Sequence, residues 1–355
     1  MTDEIAVFDG HNDSLLKLYL DDGSDPIASF IEGRTDGHID LPRARSGGLA
    51  GGLFAIFVPS PEKGADADSM MRQPQYDVPK LETPDGGAAI AATLAMAATL
   101  FRIEERSEGR LKVCRTASEI RHARAADALA AVLHIEGAEA IDRDFRNLEV
   151  LYQAGLRSLG PVWSRPNAFG HGVPFRFPSS PDTGPGLTAL GRELVRECNR
   201  LGIVIDLSHI TEKGFWDVAE LTHAPLVASH SNAHAISPHA RNLTDKQLDA
   251  IRESGGLVGI NYATAFLRPD GRMNADTPLD VLLRHVDHLV EKLGIDGVGL
   301  GSDFDGAVIP QAIGNVAGLP RLPSALAQHG YSAEEIRKIC FDNWLSVLER
   351  SWKAE

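Results

Sequence analysis

Cysteine is scarce in this chain. Cys114, Cys198 and Cys340 are the only three, and no two form a C-x-x-C pair. An odd, scattered set argues against a disulfide framework or a thiolate metal site and points to free thiols in a reducing, cytoplasmic compartment. Basic residues are also in deficit. Lys and Arg number 35 against 49 Asp and Glu, a formal net charge of −14. Nucleic acids and anionic membranes favour basic surfaces, so neither is expected as a partner. The first residues, MTDEIAVFDG, carry acids at once and show neither a basic n-region nor an apolar h-region. The longest strongly apolar stretch, Ala88–Phe101, falls short of the roughly 20 residues that span a bilayer and reads as a core helix. No internal repeat or low-complexity linker is visible, and a single domain over residues 1–355 is expected.

Eight short, β-rich apolar runs are present: Ile5–Phe8, Gly52–Val58, Ala131–His134, Leu156–Val162, Ile203–Asp206, Leu226–Ala228, Leu257–Asn261 and Val298–Leu300. Most are continuously apolar rather than alternating, as in parallel strands buried on both faces. Helical patterns intervene at Phe145–Ala154, Leu187–Leu201, Lys213–Leu221, Thr244–Glu253 and Pro278–Leu293, and Ser332–Arg350 closes the chain as two helical stretches. Alternation of this kind predicts an α/β fold, a (β/α)8 TIM-like barrel. A doubly wound sheet is the alternative, but no G-x-G-x-x-G opens a helix after the first strand. Two long irregular segments, about 59–87 and 167–185, would lie at the C-terminal face of such a barrel, where active sites sit.

Five of the expected strands end in a potential ligand or acid/base group. In order these are His11 with Asp13, Glu136, His209, His230 and Asp303. His11 and Asp13, at i and i+2, would share one side of a strand. Singly, each has an ordinary explanation, such as an ion-paired Glu136. Two Ser-His strand ends in consecutive units, at His209 and His230, are harder to explain structurally. His134, two residues before Glu136, reads as a core histidine, and Asp206 either orients a ligand or satisfies backbone groups. The set supplies three ligands to each of two divalent ions if Glu136 bridges them. Histidine and carboxylate without cysteine suit Zn by default, with Mn, Fe or Co as alternatives. Two ions about 3.5–4 Å apart would share a hydroxide. Asp303 is then the expected base, passing a proton to a leaving amine, while Asp305, beside Gly306, caps or turns the chain.

These residues resemble the membrane (renal) dipeptidases, peptidase family M19 of the amidohydrolase-like barrels. The resemblance rests on HND at 11–13, IEG at 135–137, LSH at 207–209, SHSNAHAISPHARNLTD at 229–245 and GSDFDG at 301–306, and covers nearly the whole chain. It implies a binuclear zinc site. His11 and Asp13 would hold one ion, His209 and His230 the other, with Glu136 bridging and Asp303 as the catalytic aspartate. It also implies that Arg241 engages the carboxylate end of a dipeptide, that a D-residue is tolerated on the leaving side, and that a homodimer can form. One departure stands out. Where the renal type has a histidine after strand four, GPVWSRPN places Trp163, so oxyanion stabilisation falls to the metal, Trp163, Arg165 or His171. Other readings are an amidohydrolase of N-acyl amino acids, lactams or lactones, or a non-catalytic metal- or peptide-binding barrel. The remaining histidines, including His38, His285 and His288, read as surface or helix residues.

Overall fold

The computed structural model describes residues 5–61 and 66–353. Eight parallel strands form its centre: β1 (Val7–Asn12), β2 (Leu49–Phe57), β3 (Leu129–Glu136), β4 (Leu156–Gly160), β5 (Val204–Ile205), β6 (Val227–Ala228), β7 (Leu257–Asn261) and β8 (Val298–Gly301). Pairing runs β5–β4–β3–β2–β1–β8–β7–β6. A parallel bridge between Asp206 and Val227 brings β5 to β6 and completes the ring. The expected (β/α)8 barrel forms, and the open sheet is excluded. Beside the barrel, one further parallel strand was not expected from the sequence, in addition to a two-stranded ribbon within the irregular segments. Leu111–Val113 pairs with the start of β3 outside the ring, and its three residues offer too short a pattern to stand out.

Alternation along β3 sorts the barrel into layers. Ala130 and Val132 join Phe8, Leu53, Val204, Val227, Leu257 and Trp344 in one apolar cluster. Ala131, Leu133 and Ile135 pack into the larger cluster shared with the helices. Two residues further along the inner face come His134 and Glu136, so the strand passes from an apolar lower layer to polar residues at its C-terminal end.

The helices start where side chains can cap them. Thr188 accepts from Gly191 N, Thr211 from Gly214 N, and Thr244 with Gln247 forms a full capping box. The helix expected at 88–101 runs from Gly86 to Arg106, long and apolar enough by length and composition to cross a membrane. Here it packs on the core through Ala89, Ala92, Met96, Leu100 and Ile103. At the C-terminus the two expected stretches appear as Ala333–Arg337 and Asn343–Ser351, separated by a wide π-turn over Lys338–Asp342. That turn sets Asn343 to donate to Ile295 O and Val298 O, both at 2.7 Å. It also sets Trp344 as the floor of the barrel, its Nε1 donating to Leu300 O at 2.8 Å. Glycine is required beside this ring: a Cβ on Gly10 would lie 2.3 Å from it.

The two irregular segments meet above the opposite end. Tyr76–Asp77 and Arg176–Phe177 pair as a short antiparallel ribbon, reinforced by a 2.6 Å Asp77–Arg176 ion pair. Met71, Tyr76, Val78, Phe177, Phe266 and Met273 form a small apolar cluster there. Trp344 is fully buried. Trp344→Ala is therefore expected to cost about 3–5 kcal/mol of stability, read by urea unfolding followed by circular dichroism. A loss below about 1 kcal/mol would show that the floor is not a packed core.

Candidate metal centre

The strand ends converge as the sequence suggested. His11 lies in β1 and Asp13 just past it, and Glu136 is the last residue of β3. His230 and Asp303 stand two residues beyond β6 and β8. His209 and Asp303 turn inward through left-handed backbone, at φ 67° and 60°. Non-glycine residues seldom adopt this region, and such strain collects at functional sites.

Three triads result: His11–Asp13–Glu136, Glu136–His209–His230 and His11–His230–Asp303, each with its ligand atoms within 4.8 Å of one another. Glu136 Oε1 is shared. It lies 3.8 Å from His11 Nε2, 3.0 Å from His209 Nε2 and 3.4 Å from His230 Nε2. Asp13 Oδ2 is 3.4 Å from His11 Nε2. The third triad was not foreseen. It puts Asp303 against the ligand set rather than apart from it.

This cluster is buried and short of donors. The two Nε2 atoms of His209 and His230 face each other at 3.0 Å, while each Nδ1 meets a serine hydroxyl, Ser164 or Ser229, at 2.7 Å. His11 Nδ1, His11 Nε2 and Glu136 Oε1 have no hydrogen-bond partner among the described residues. Buried polar atoms are normally satisfied, and buried charges are paired or coordinate metal. Divalent cations there would satisfy His11 Nε2 and Glu136 Oε1, the two orphaned atoms that face the other ligands, so the residues fit a metal site. The titration directions reflect how much charge is crowded into this buried space. Burial pushes Glu136 well above the usual carboxylate range, against the pull of His11. Burial opposes a charge on His11, but Glu136 and Asp13 together raise its pKa to about 10. Burial holds His209 and His230 well below an ordinary imidazole, hence neutral and able to ligate. Asp303 is raised by burial and by Asp13.

Several supporting residues escaped sequence reasoning. Asn261 donates from Nδ2 to Asp303 Oδ2 at 3.0 Å and is itself anchored by Ala263 N. It also ends a strand, a signal that was available. Ser164 had no such signal, because it meets His209 only across 45 residues of chain. His134 is buried as expected, yet it borders the centre, its ring 5.5 Å from that of His11. Asp206 satisfies backbone groups, accepting from Ser208 N and Ser229 N, and also accepts from Ser229 Oγ. Asp305 ties the loop to His38 N and Ser14 Oγ. His285 is a helix residue as expected but lies fully buried, accepting from Ala233 N.

A cavity of about 470 Å³ opens over the centre. Asp13, Glu136, His209 and Asp303 lie at its base, and Phe57, Met71, Trp163, Phe175, Phe266 and Met273 wall it. Trp163 packs on Phe57, Phe175 and His209. Its indole N–H has no hydrogen-bond partner among the described residues. Arg165 does not reach the cavity, because it is fully buried in a 2.9 Å pair with Glu139 and donates to Val58 O and Ser60 Oγ. His171 does not line the cavity either. Arg241 differs from expectation. It lies behind the lining, 3% exposed, with Nη2 donating to His230 O and Nη1 to Ser231 Oγ. Its guanidinium packs 5.5 Å from the Phe266 ring, and its Nε has no partner among the described residues.

The family model for membrane dipeptidase, peptidase family M19, matches residues 1–354. The chain belongs to this family. A metallo peptidase from Rhodobacter sphaeroides, solved with a phosphinate mimic of the dipeptide L-Ala-D-Ala, is 54% identical with a TM-score of 0.97, covering 99% of this chain and 100% of that one. Dipeptidase AC, an M19 metallo peptidase, is 55% identical at a TM-score of 0.96, with the same coverage. A Klebsiella pneumoniae protein described as uncharacterized, from the pqqA 5′ region, is 51% identical over 256 residues, 72% of this chain and 94% of its own length. The protein is accordingly an M19 metal-dependent hydrolase acting on dipeptides.

In this M19 dipeptidase Gly306 packs directly on two carboxylates. A Cβ there would lie 2.0 Å from Asp13 Oδ2 and 2.6 Å from Asp303 Oδ1. Gly306→Ala should lower metal affinity on the order of 10–100-fold, the usual cost of disturbing the groups that orient ligands, while the barrel still folds. Metal titration of the purified variant checks this, and unchanged affinity would mean that the loop yields without moving either carboxylate.

Proposed function

We propose that the enzyme is a two-zinc dipeptidase. His11 and Asp13 would hold one ion and His209 and His230 the other, with Glu136 available to both, and Asp303 moves the proton. The observation that carries this reading is the single oxygen of Glu136 set among three histidine Nε2 atoms at 3.0 to 3.8 Å. A donor set of imidazole and carboxylate favours zinc. Ions bound there would supply an activated water and a polarised carbonyl.

The chain's own residues do the remaining work. Asp303 Oδ2 is held by Asn261, which leaves Oδ1 to take a proton from the attacking water and hand it to the leaving amine nitrogen. Its raised pKa, from burial, suits a group that must keep that proton briefly. Phe57, Trp163, Phe175 and Phe266 exclude water around the scissile bond. Trp163 offers its free indole N–H to the substrate oxygen, a single uncharged donor where the family's renal type has histidine. Arg241 attracts the substrate carboxylate from behind the cavity lining, beside Phe266, with its Nε unpaired among the described residues. The L-Ala-D-Ala mimic in the Rhodobacter neighbour supports tolerance of a D-residue at the C-terminal position. Three buried, unpaired cysteines support a cytoplasmic location.

Metal analysis together with a dipeptide panel tests the proposal. About two divalent ions per chain and cleavage of L-Xaa-D-Xaa dipeptides are expected; a metal-free enzyme or a silent panel would sink it. Asp303→Asn should lower kcat by roughly 10²–10⁴-fold, the range of general acid–base contributions, with metal content unchanged. Full turnover in that variant would remove Asp303 from its role.

A further inference from the structure

Two serines stand behind the paired histidines, and their surroundings differ. Ser164 Oγ meets His209 Nδ1 at 2.7 Å and makes no other hydrogen bond among the described residues. Ser229 Oγ meets His230 Nδ1 at 2.7 Å, donates to Asp206 Oδ2 at 2.5 Å, and has a longer 3.4 Å contact with Ser208 Oγ in which, its one hydrogen being spent on Asp206, it can only accept. Asp206 is 1% exposed. Its Oδ1 accepts from the backbone N–H groups of Ser208 at 3.1 Å and Ser229 at 2.7 Å.

A carboxylate offers only acceptors, and a serine has a single hydroxyl hydrogen. Ser229 must turn that hydrogen to Asp206, so its oxygen can only accept from His230. The proton of His230 is thereby fixed on Nδ1, and its Nε2 lone pair points at the centre, 3.4 Å from Glu136 Oε1. We propose that Asp206, acting through Ser229, fixes the metal-binding tautomer of His230 and so sets the affinity for the ion it holds. His209 has no such polarity imposed on it, because none of the described residues orients Ser164. Asp206 is a positioning residue. The inference rests on reading His230 as a metal ligand.

Asp206→Asn inverts the relay. Two backbone N–H groups hold Oδ1, so the amide oxygen must take that place and the amide nitrogen must face Ser229. The amide then donates to Ser229 Oγ, whose hydrogen swings to His230 Nδ1. The imidazole is driven to its Nε2–H form, which cannot accept a cation. Ser229→Ala cuts the relay and leaves His230 free to choose either tautomer. Asp206→Asn is therefore expected to be worse than Ser229→Ala, and the double variant should return to the Ser229→Ala level.

The metal-stripped proteins are titrated with zinc alone against a chromophoric chelator. Asp206→Asn should bind one ion on the order of 10–100-fold more weakly than wild type, with affinity recovered in the double variant. Recovery by a second substitution cannot arise from misfolding, and a merely structural Asp206 would not produce it. The proposal fails if Asp206→Asn binds zinc like wild type, or if the double variant is as weak as Asp206→Asn. Wild-type protein that takes up no zinc would instead overturn the metallo-dipeptidase reading itself.

Discussion

One buried carboxylate oxygen organises this molecule. Glu136 Oε1 lies within 4 Å of three imidazole nitrogens and receives no hydrogen bond from the described residues. Desolvating a carboxylate is costly, and only opposite charge nearby offsets it. Most of what surrounds the centre follows from that constraint. The histidines reach it from β1, β5 and β6, while Glu136 itself ends β3. The strands between them need supply no ligand; β2 and β7 instead contribute Phe57 to the cavity wall and Asn261 to the grip on Asp303.

The price of this convergence is local strain and close packing. His209 and Asp303 sit in left-handed backbone, and Gly306 has no room for a side chain. The apolar lower layer of the barrel, with Trp344 as its floor, holds the strands rigid enough to keep the upper polar layer in place. Above it, the Tyr76–Phe177 ribbon and its aromatic cluster close the cavity from the other side. A dry wall raises the strength of every electrostatic contact at its base. The enzyme thus combines a packed floor, a polar layer suited to cations and an apolar wall above it.

How much of this was legible depended on the range of each interaction. Continuous apolar runs and their spacing were enough for the barrel, because parallel strands must be buried on both faces. His11, Asp13, Glu136, His209, His230 and Asp303 stood out because each follows such a run. The braces did not. Ser164 and Asn261 act on residues 45 and 42 positions away. Arg241 appeared, by its motif, to face substrate, yet in the structure it braces the His230 carbonyl beside Phe266. Arg165, a candidate for the oxyanion, is tied to Glu139 in the core.

The sequence by itself determined the order of elements, the barrel and the identity of the groups at the strand ends, since burial pattern and residue chemistry are local properties of the chain. Only the tertiary structure decided which atoms meet. It placed one oxygen of Glu136 among three histidines, set Asp303 against His11 and His230, and gave Ser229, but not Ser164, a carboxylate to answer to. Those relations depend on ring closure, which brings β8 beside β1 and β5 beside β6, and on backbone turns of a few residues. Hydrogen-bond direction and distance are fixed there to tenths of an ångström, a scale on which sequence spacing carries no information.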